Sequence, residues 1–424
     1  MNVEEFRRYG KELIDFIADY IENSRDFPVL PSSEPGYLQN LIPREAPEES
    51  EKWDDIMKDV VKYILPGMTH WQSPHFHAYF PAGQSYPSIL GELLSAGLGT
   101  VEFTWLSSPI STELEVIVMD WLGKLIGLPD EFLNCSDGKG GGIIQGSASE
   151  TVFVCLLAAK QRMLKRLLEQ DPNLDPDVIK QKMVAYSSDQ SNSCVEKAGR
   201  LGSMKMRLLK SDNNCRLRGE TLLKAIKEDI ENGLIPTYLC ATLGTTPTCA
   251  FDRIDELSPI CSQYGIWLHV DAAYAGAAFI CPEYRHLMKA VETTDSFNMN
   301  PHKWLLVNFD CSAFWIKDST WLIETLNVDR IYLDHHKRAI SSARDHRNWE
   351  IPLGRRFRSL KLWFTLRSYG AKGLQKFIRY QIYLAKEFEK LVRSDVRFEI
   401  PFESSLGLIC FRLKVKYFND RKAK

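Results

Sequence analysis

A lysine, a carboxylate and a helix start rich in small hydroxyl residues carry the reactive groups of this sequence. Lys303 closes Asn300-Pro301-His302-Lys303, after the apolar run DSFNM. Asp271 follows IWLHV and precedes Ala272-Ala273-Tyr274. Gly244-Thr245-Thr246 follows TYLCATL, Asn192 ends the stretch SSDQSN after KMVAY, and Gly146-Ser147-Ala148-Ser149 follows IIQ. A lysine amine condenses with an aldehyde cofactor as a Schiff base. A carboxylate opposite a pyridine nitrogen keeps that nitrogen protonated, so the ring can accept electrons. Free N–H groups and the positive end of a helix hold phosphate. Small Ala273 suits one face of a flat ring, and residue 192 the other. Taken singly, each piece has an ordinary explanation: Ser147 or Asp271 as a helix cap, Lys303 as a surface lysine. Together they fit one chemistry. The Gly-rich stretch is neither a P-loop nor a dinucleotide fingerprint, because no Gly-Lys is followed by Ser or Thr and no glycines fall at G-x-G-x-x-G spacing.

The elements that must position these residues follow from the pattern. From about 86 to 320, helical stretches alternate with the short apolar runs KMVAY, TYLCATL, IWLHV, DSFNM and CSAFWI. That alternation predicts a parallel sheet covered by helices on both faces. Ligands of such sheets bind beyond the carboxyl ends of the strands, where every residue named above sits. Residues 1 to about 85 read as helices broken by Pro-rich connections, beginning with an amphipathic helix marked by Phe6, Leu13, Phe16 and Tyr20. A long helical pattern runs from GRRFRSLKLW to about Arg393, and FEI and GLICFRLKVKY read as strands of a smaller unit.

The bulk properties narrow the function class. The 424 residues are 44% hydrophobic and 25% charged, with a formal net charge of -2. Nothing in that balance points to nucleic acid or an anionic membrane. No apolar run is long enough to span a bilayer, and the N-terminus lacks a signal-type hydrophobic segment. The ten cysteines are scattered without C-x-x-C spacing, as expected of buried thiols in a cytoplasmic protein rather than disulfides or a zinc site. His75 with His77, and His335 with His336, lack a third metal ligand, so no metal is expected. YFPAGQSYP and VEFTWLSSP fit core packing or an aromatic pocket, and NVDRIYLDHHKRAISSARDHRNW fits an exposed loop or an active-site lid.

With these residues in view, the chain resembles the group II pyridoxal-phosphate decarboxylases, specifically the aromatic L-amino acid decarboxylases. The likeness runs from Met1 to about Leu413 through long motifs: FRRxGKE, EPGYL, THWxSPxFxAYFP, GGGxIQGSAS, YSSDQ, ATLGTT, WLHVDAAYAG, NPHKWLLVNFDCS and IPLGRRFRSLK. The resemblance implies an α/β protein of pyridoxal-phosphate fold-type I, aspartate aminotransferase-like, with a mainly parallel central sheet. Its divisions would be an N-terminal helical dimerisation segment (1–85), a large cofactor-binding domain (86–360) and a C-terminal α+β domain (361–424) shorter than usual. It implies a homodimer with shared active sites. Lys303 would hold pyridoxal 5'-phosphate and Asp271 would face its ring nitrogen. Ala148, Ser149 and Asn300 would bind its phosphate, with Thr246, Ala273 and His302 beside it. Trp71, Tyr79, Phe80 and Ala82 would line the aromatic pocket, Phe103 would enter from the other subunit, and Tyr332 would protonate the α-carbon. Three positions depart from the decarboxylase pattern: Asn192 stands for histidine, Ala82 for threonine and Glu102 for glycine. The run QSNSCVEKAG and the start NVDRIYL are instead similar to the insect 3,4-dihydroxyphenylacetaldehyde synthases, while the order Tyr79-Phe80 is that of the plain decarboxylases. The expected activity is therefore decarboxylation with oxidative deamination of L-dopa or another aromatic L-amino acid; simple decarboxylation to an amine, or an inactive dimeric relative, are the alternatives. A carboxylate is costly to bury unpaired, so Glu102 is expected to meet a basic partner or water, to favour substrates with a cationic or hydrogen-bond-donating ring, or to be an exposed loop residue.

Overall fold

A computed structural model describes residues 1–334 and 344–415. The chain divides into two compact units, Met1–Ala82 and the remainder from Gly83. The first begins with helix Val3–Glu22. A reciprocal cap starts it: Glu5 N–H donates to Asn2 Oδ1 at 2.9 Å, and Asn2 N–H to Glu5 Oε2 at 2.8 Å. Later in this unit Trp53 stacks on Tyr9 with centroids 5.2 Å apart.

The second unit is built on a seven-stranded sheet. Its strands are β1 (Gly141–Gln145), β2 (Met183–Ser188), β3 (Lys205–Leu209), β4 (Ile235–Thr242), β5 (Trp267–Asp271), β6 (Ser296–Met299) and β7 (Ser312–Ile316). The spatial order is β1-β7-β6-β5-β4-β2-β3. From β6 to β3 all neighbours are parallel; only β7 runs against β6 and β1. Each expected strand of the large domain is present. The apolar pattern did not announce β3, because KMRLL is an edge strand paired only with β2 and largely open to solvent.

Register explains why distant motifs meet. Thr242 of β4 lies opposite Asp271 of β5, which lies opposite Asn298 of β6. The strands therefore end level, and the turns after them emerge side by side. Because β7 is antiparallel, its first residue Ser312 pairs with Gln145, the last of β1, which brings the Ser147 turn to the same edge. The helix Ala148–Gln170 then runs back across the sheet, burying Val152, Cys155, Leu156 and Ala159 against β strands that contribute Ile143, Ala185, Tyr238 and Phe314.

The helix after GRRFRSLK spans Ser359–Ser394 and is broken at Gly370, whose φ of 61° lies in the left-handed region that glycine tolerates. The expected C-terminal strands contract to β8 (Phe398–Glu399) and β9 (Arg412–Leu413). The chain turns at Ser405–Leu408, with Leu406 at φ 52°, so GLIC cannot continue as a strand. Eight of the ten thiols are buried and none forms a disulfide. Among the described residues no helix is long and apolar enough to cross a membrane.

Phe314 is fully buried in the middle of β7, in the core between the sheet and the helix Ala148–Gln170. Phe314→Ala should cost about 3–5 kcal/mol of stability, the usual range for emptying a core aromatic site. A urea unfolding curve followed by tryptophan fluorescence checks this; a midpoint unchanged from the parent would show that the core lies elsewhere.

Candidate active site

Asp271 ends β5 and is 3% exposed. Its Oδ1 accepts from Ala273 N–H at 3.0 Å and from Asn298 Nδ2 at 3.4 Å. Behind it runs a chain of polar side chains that the sequence reading did not pick out. Trp267 Nε1–H donates to Ser296 Oγ at 2.9 Å, Ser296 Oγ lies 2.8 Å from His269 Nδ1, and His269 Nε2 lies 2.9 Å from Asn298 Oδ1. An indole can only donate and a carboxylate can only accept, so the two ends fix every direction between them. The serine hydroxyl donates to Nδ1, Nε2–H donates to the Asn298 carbonyl, and the Asn298 amide turns its N–H to Asp271. Complete burial pushes the His269 ring down to about 4, so it is neutral at pH 7 and serves as a dipole rather than a charge. The signal was present as polar residues at two-residue spacing in apolar strands: His269 with Asp271, and Ser296 with Asn298 and Asn300.

Lys303 lies on the short helix Pro301–Trp304 that follows β6. Burial lowers its pKa, against the opposing pull of Asp271 and Cys194. Lowering favours the neutral amine, the form that attacks a carbonyl. Cys194 ties the cluster together. It sits in the first turn of the helix Ser193–Leu201, hydrogen-bonds Ser149, and is close enough to both Asp271 and Lys303 to feel their charge. Burial dominates and pushes this thiol up to about 12, leaving it protonated. Lys303, Asp271 and Ser149 are thus brought together across more than 150 residues of sequence separation.

Ser147 caps the helix Ala148–Gln170, its hydroxyl accepting from Glu150 N–H. First-turn N–H groups have no acceptor within their helix, so the backbone of Ala148 and Ser149 offers donors to an anion. Asn300 is 3% exposed; its Oδ1 accepts from Ser312 Oγ at 2.7 Å and its Nδ2 lies 3.3 Å from His302 Nε2. His302 Nδ1 accepts from Cys311 N–H at 2.8 Å, and burial beside Lys303 lowers the ring to about 4. Asn192 is the cap of the helix Ser193–Leu201: its Oδ1 accepts from Cys194 N–H at 3.0 Å. Its other end is also engaged, Nδ2 donating to Thr246 Oγ1 at 3.2 Å. Thr246 is presented by the turn at Gly244, where φ is 84° and a Cβ would stand 2.7 Å from that of Ala275.

Trp71, Tyr79, Phe80 and Ala82 belong to the first unit, where Trp71 stacks on Phe76 at 4.8 Å and on Tyr79 at 5.6 Å, and Gln72 Nε2 donates to Ala82 O at 2.7 Å. Phe103 is half-buried. Tyr332 is 71% exposed on the short turn Ile331–Leu333, not among the buried groups around Lys303. Glu102 is not an exposed loop residue: it is 1% exposed and paired with Arg355 and His346. His75 and His77 are exposed, and His335 and His336 lie outside the described residues.

The donor set fits a phosphorylated pyridoxal. A buried amine of lowered pKa would suit the aldehyde, an acceptor-only carboxylate a protonated ring nitrogen, and helix-start donors the phosphate. Known proteins agree. Residues 35–414 match the family described as "Pyridoxal-dependent decarboxylase conserved domain". The aromatic-L-amino-acid decarboxylase of Manduca sexta is 56% identical over 414 residues, covering 98% of this chain and 81% of that protein. The 3,4-dihydroxyphenylacetaldehyde synthase of Aedes aegypti is 55% identical, covering 98% of this chain and 79% of its own. Among solved structures, that of Oryza sativa TDC with PLP and tryptamine superposes with a TM-score of 0.94 at 39% identity, over 98% of this chain and 85% of that one.

Borohydride reduction of the cofactor-loaded protein, followed by peptide mapping, should fix the pyridoxyl group on Lys303 alone. Lys303→Ala should lose both the label and turnover. Labelling of a different lysine would contradict the assignment.

Proposed function

The chain belongs to the pyridoxal-dependent decarboxylase family, a family of carboxy-lyases whose cofactor is pyridoxal phosphate, and from that premise we propose that it is an oxidative aldehyde synthase acting on an aromatic L-amino acid. For L-dopa, one amino acid, one oxygen and one water would give 3,4-dihydroxyphenylacetaldehyde, carbon dioxide, ammonia and hydrogen peroxide. Curated relatives of nearly equal identity carry the decarboxylase and the aldehyde synthase names, so the choice rests on this chain's own residues.

The observation that carries the reading is Asn192. When bound, the cofactor supplies the electron sink that lets the carboxyl group leave as carbon dioxide. In our reading Asp271, oriented by Asn298 and His269, holds the ring nitrogen protonated. Ala148, Ser149 and Asn300 hold the phosphate, and Ala273, Thr246 and His302 flank the ring. Lys303 would hold the cofactor between turnovers. Two fates compete at the substrate α-carbon. A proton delivered there gives an amine; transfer of the electron pair to oxygen, with hydrolysis of the C–N bond, gives aldehyde and ammonia. A histidine at 192 could supply a proton near neutral pH. Asn192 has none to give, and its amide is held at both ends, by Cys194 N–H and by Thr246. In this reading proton delivery falls to Tyr332, which sits on an exposed turn.

Trp71, Tyr79, Phe80 and Ala82 would bind the aromatic ring, with Phe103 supplied by a second copy. The homodimer this requires is supported by an apolar surface on the second unit, where Leu90, Leu93, Leu98, Val101, Ile110 and Trp121 are exposed in the single chain. The N-terminal segment 1–85 would extend that interface. A cytoplasmic location fits the unpaired thiols. Simple decarboxylation to an amine remains the second reading, favoured by the order Tyr79-Phe80.

Asn192→His should raise the amine-to-aldehyde ratio about tenfold, which needs only about 1.4 kcal/mol between the two barriers. Tyr332→Phe should move the ratio the other way. Both products are measured by chromatography from one incubation with L-dopa. A ratio indifferent to residue 192 would remove the basis of the proposal.

A further inference from the structure

Glu102 lies in the second unit, next to Phe103, at a position where the resemblance leads one to expect glycine. Its backbone and that of Arg355 exchange both hydrogen bonds, Glu102 N–H to Arg355 O at 2.9 Å and Arg355 N–H to Glu102 O at 2.7 Å. Its Oε1 accepts from Arg355 Nη1 at 2.8 Å, His346 Nδ1 at 2.7 Å and Thr112 Oγ1 at 3.2 Å. A carboxylate only accepts, so Nδ1 carries the proton of the His346 contact. Burial alone would raise the Glu102 carboxyl, but Arg355 and His346 outweigh it and bring it down to about 2. Glu102, Glu115 and His346 lie close enough to share a cation. That cation is already present: Arg355 donates to both carboxylates, reaching Glu115 Oε1 at 2.7 Å.

The following residues are held as firmly. Phe103 and Thr104 N–H donate to Ser107 Oγ at 3.0 and 3.1 Å, and Trp105 N–H to Asp345 Oδ1 at 2.9 Å. Burial alternates along this stretch: Glu102 and Thr104 are buried, Phe103 and Trp105 half-buried. The Glu102 carboxylate is drawn inward onto Arg355, while the adjacent Phe103, at the start of the bend that closes on Ser107, stays partly exposed. A glycine at 102 would lose three side-chain hydrogen bonds and gain backbone freedom.

We propose that Glu102 is a positioning residue for substrate choice: by clamping its own backbone to Arg355 and His346 it fixes the Phe103 ring, and so the size of aromatic side chain the pocket accepts. This rests on the reading of Phe103 as a pocket residue offered to a second copy of the chain.

The test compares the parent, Glu102→Gly and Phe103→Leu as cofactor-loaded proteins of verified dimer mass and visible absorbance. The measured quantity is kcat/KM for a one-ring substrate, L-dopa, against a two-ring substrate, 5-hydroxy-L-tryptophan. Glu102→Gly should change the ratio of the two by at least about fivefold, through KM, with kcat held within about twofold. A purely structural role would scale both substrates alike, and an equal change or none overturns the proposal. Phe103→Leu must itself move the ratio. If it does and Glu102→Gly does not, only the role of Glu102 fails; if Phe103→Leu leaves the ratio unchanged, the pocket reading falls and the proposal with it. Should Glu102→Gly not fold, Glu102→Gln removes the charge at nearly constant volume and is judged by the same ratio.

Discussion

A fully buried guanidinium organises the surroundings of the site. Arg355 donates to Glu102 and Glu115, lies 2.6 Å from Glu350, and gives a further N–H to Ile144 O at 2.8 Å. Ile144 N–H in turn donates to Glu115 at 2.7 Å. One side chain thereby joins the Phe103 stretch, the helix Pro109–Ile126, strand β1 just before the phosphate-side turn, and the segment around His346. Such a charge is tolerated only when paired, and removing one partner of a buried pair costs about 3–5 kcal/mol. Burial pushes the Glu350 carboxyl up, against the opposing pull of Arg355 and Arg358. What the knot contributes is geometry: four segments, among them the stretch with Phe103 and the strand that leads to the Ser147 turn, cannot drift independently.

The same logic governs the reacting groups. Asp271 is useful only if it accepts in one direction, and the run Trp267–Ser296–His269–Asn298 gives it that direction from fully buried side chains. Lys303 is useful as a neutral amine, and burial supplies that bias. These two requirements oppose each other, since a carboxylate favours a charged lysine. The structure meets both by holding Asp271 through its own donors while burying Lys303 on a separate short helix. Asn192, between the helix it caps and Thr246, adds a polar group without a titrating proton.

Much of this was legible in the sequence, because strand ends announce themselves. The apolar runs that became β1, β2, β4, β5 and β6 were each followed within a few residues by a candidate site residue, and the parallel arrangement of β2, β4, β5 and β6 brought their turns to one edge. Four things were not legible. Strand β3 lacks an apolar pattern because it faces solvent. The polar chain behind Asp271 was hidden by the apolar residues between its members. Glu102 could be recognised as unusual but not placed, since its partners Arg355 and His346 lie more than 240 residues away in sequence, and only the fold brings that distance to hydrogen-bond length. The position of Tyr332 on an exposed turn was likewise beyond a pattern of charged residues.

The central claim is that electrons left at the α-carbon go to oxygen because residue 192 cannot return a proton. It is tested most directly by stoichiometry: purified, cofactor-loaded protein and L-dopa in air-saturated buffer, with oxygen consumption and carbon dioxide release recorded in the same vessel. The account predicts one oxygen consumed for each carbon dioxide released, with peroxide and ammonia formed in step. Carbon dioxide released with no oxygen consumed, and dopamine as the product, would contradict it.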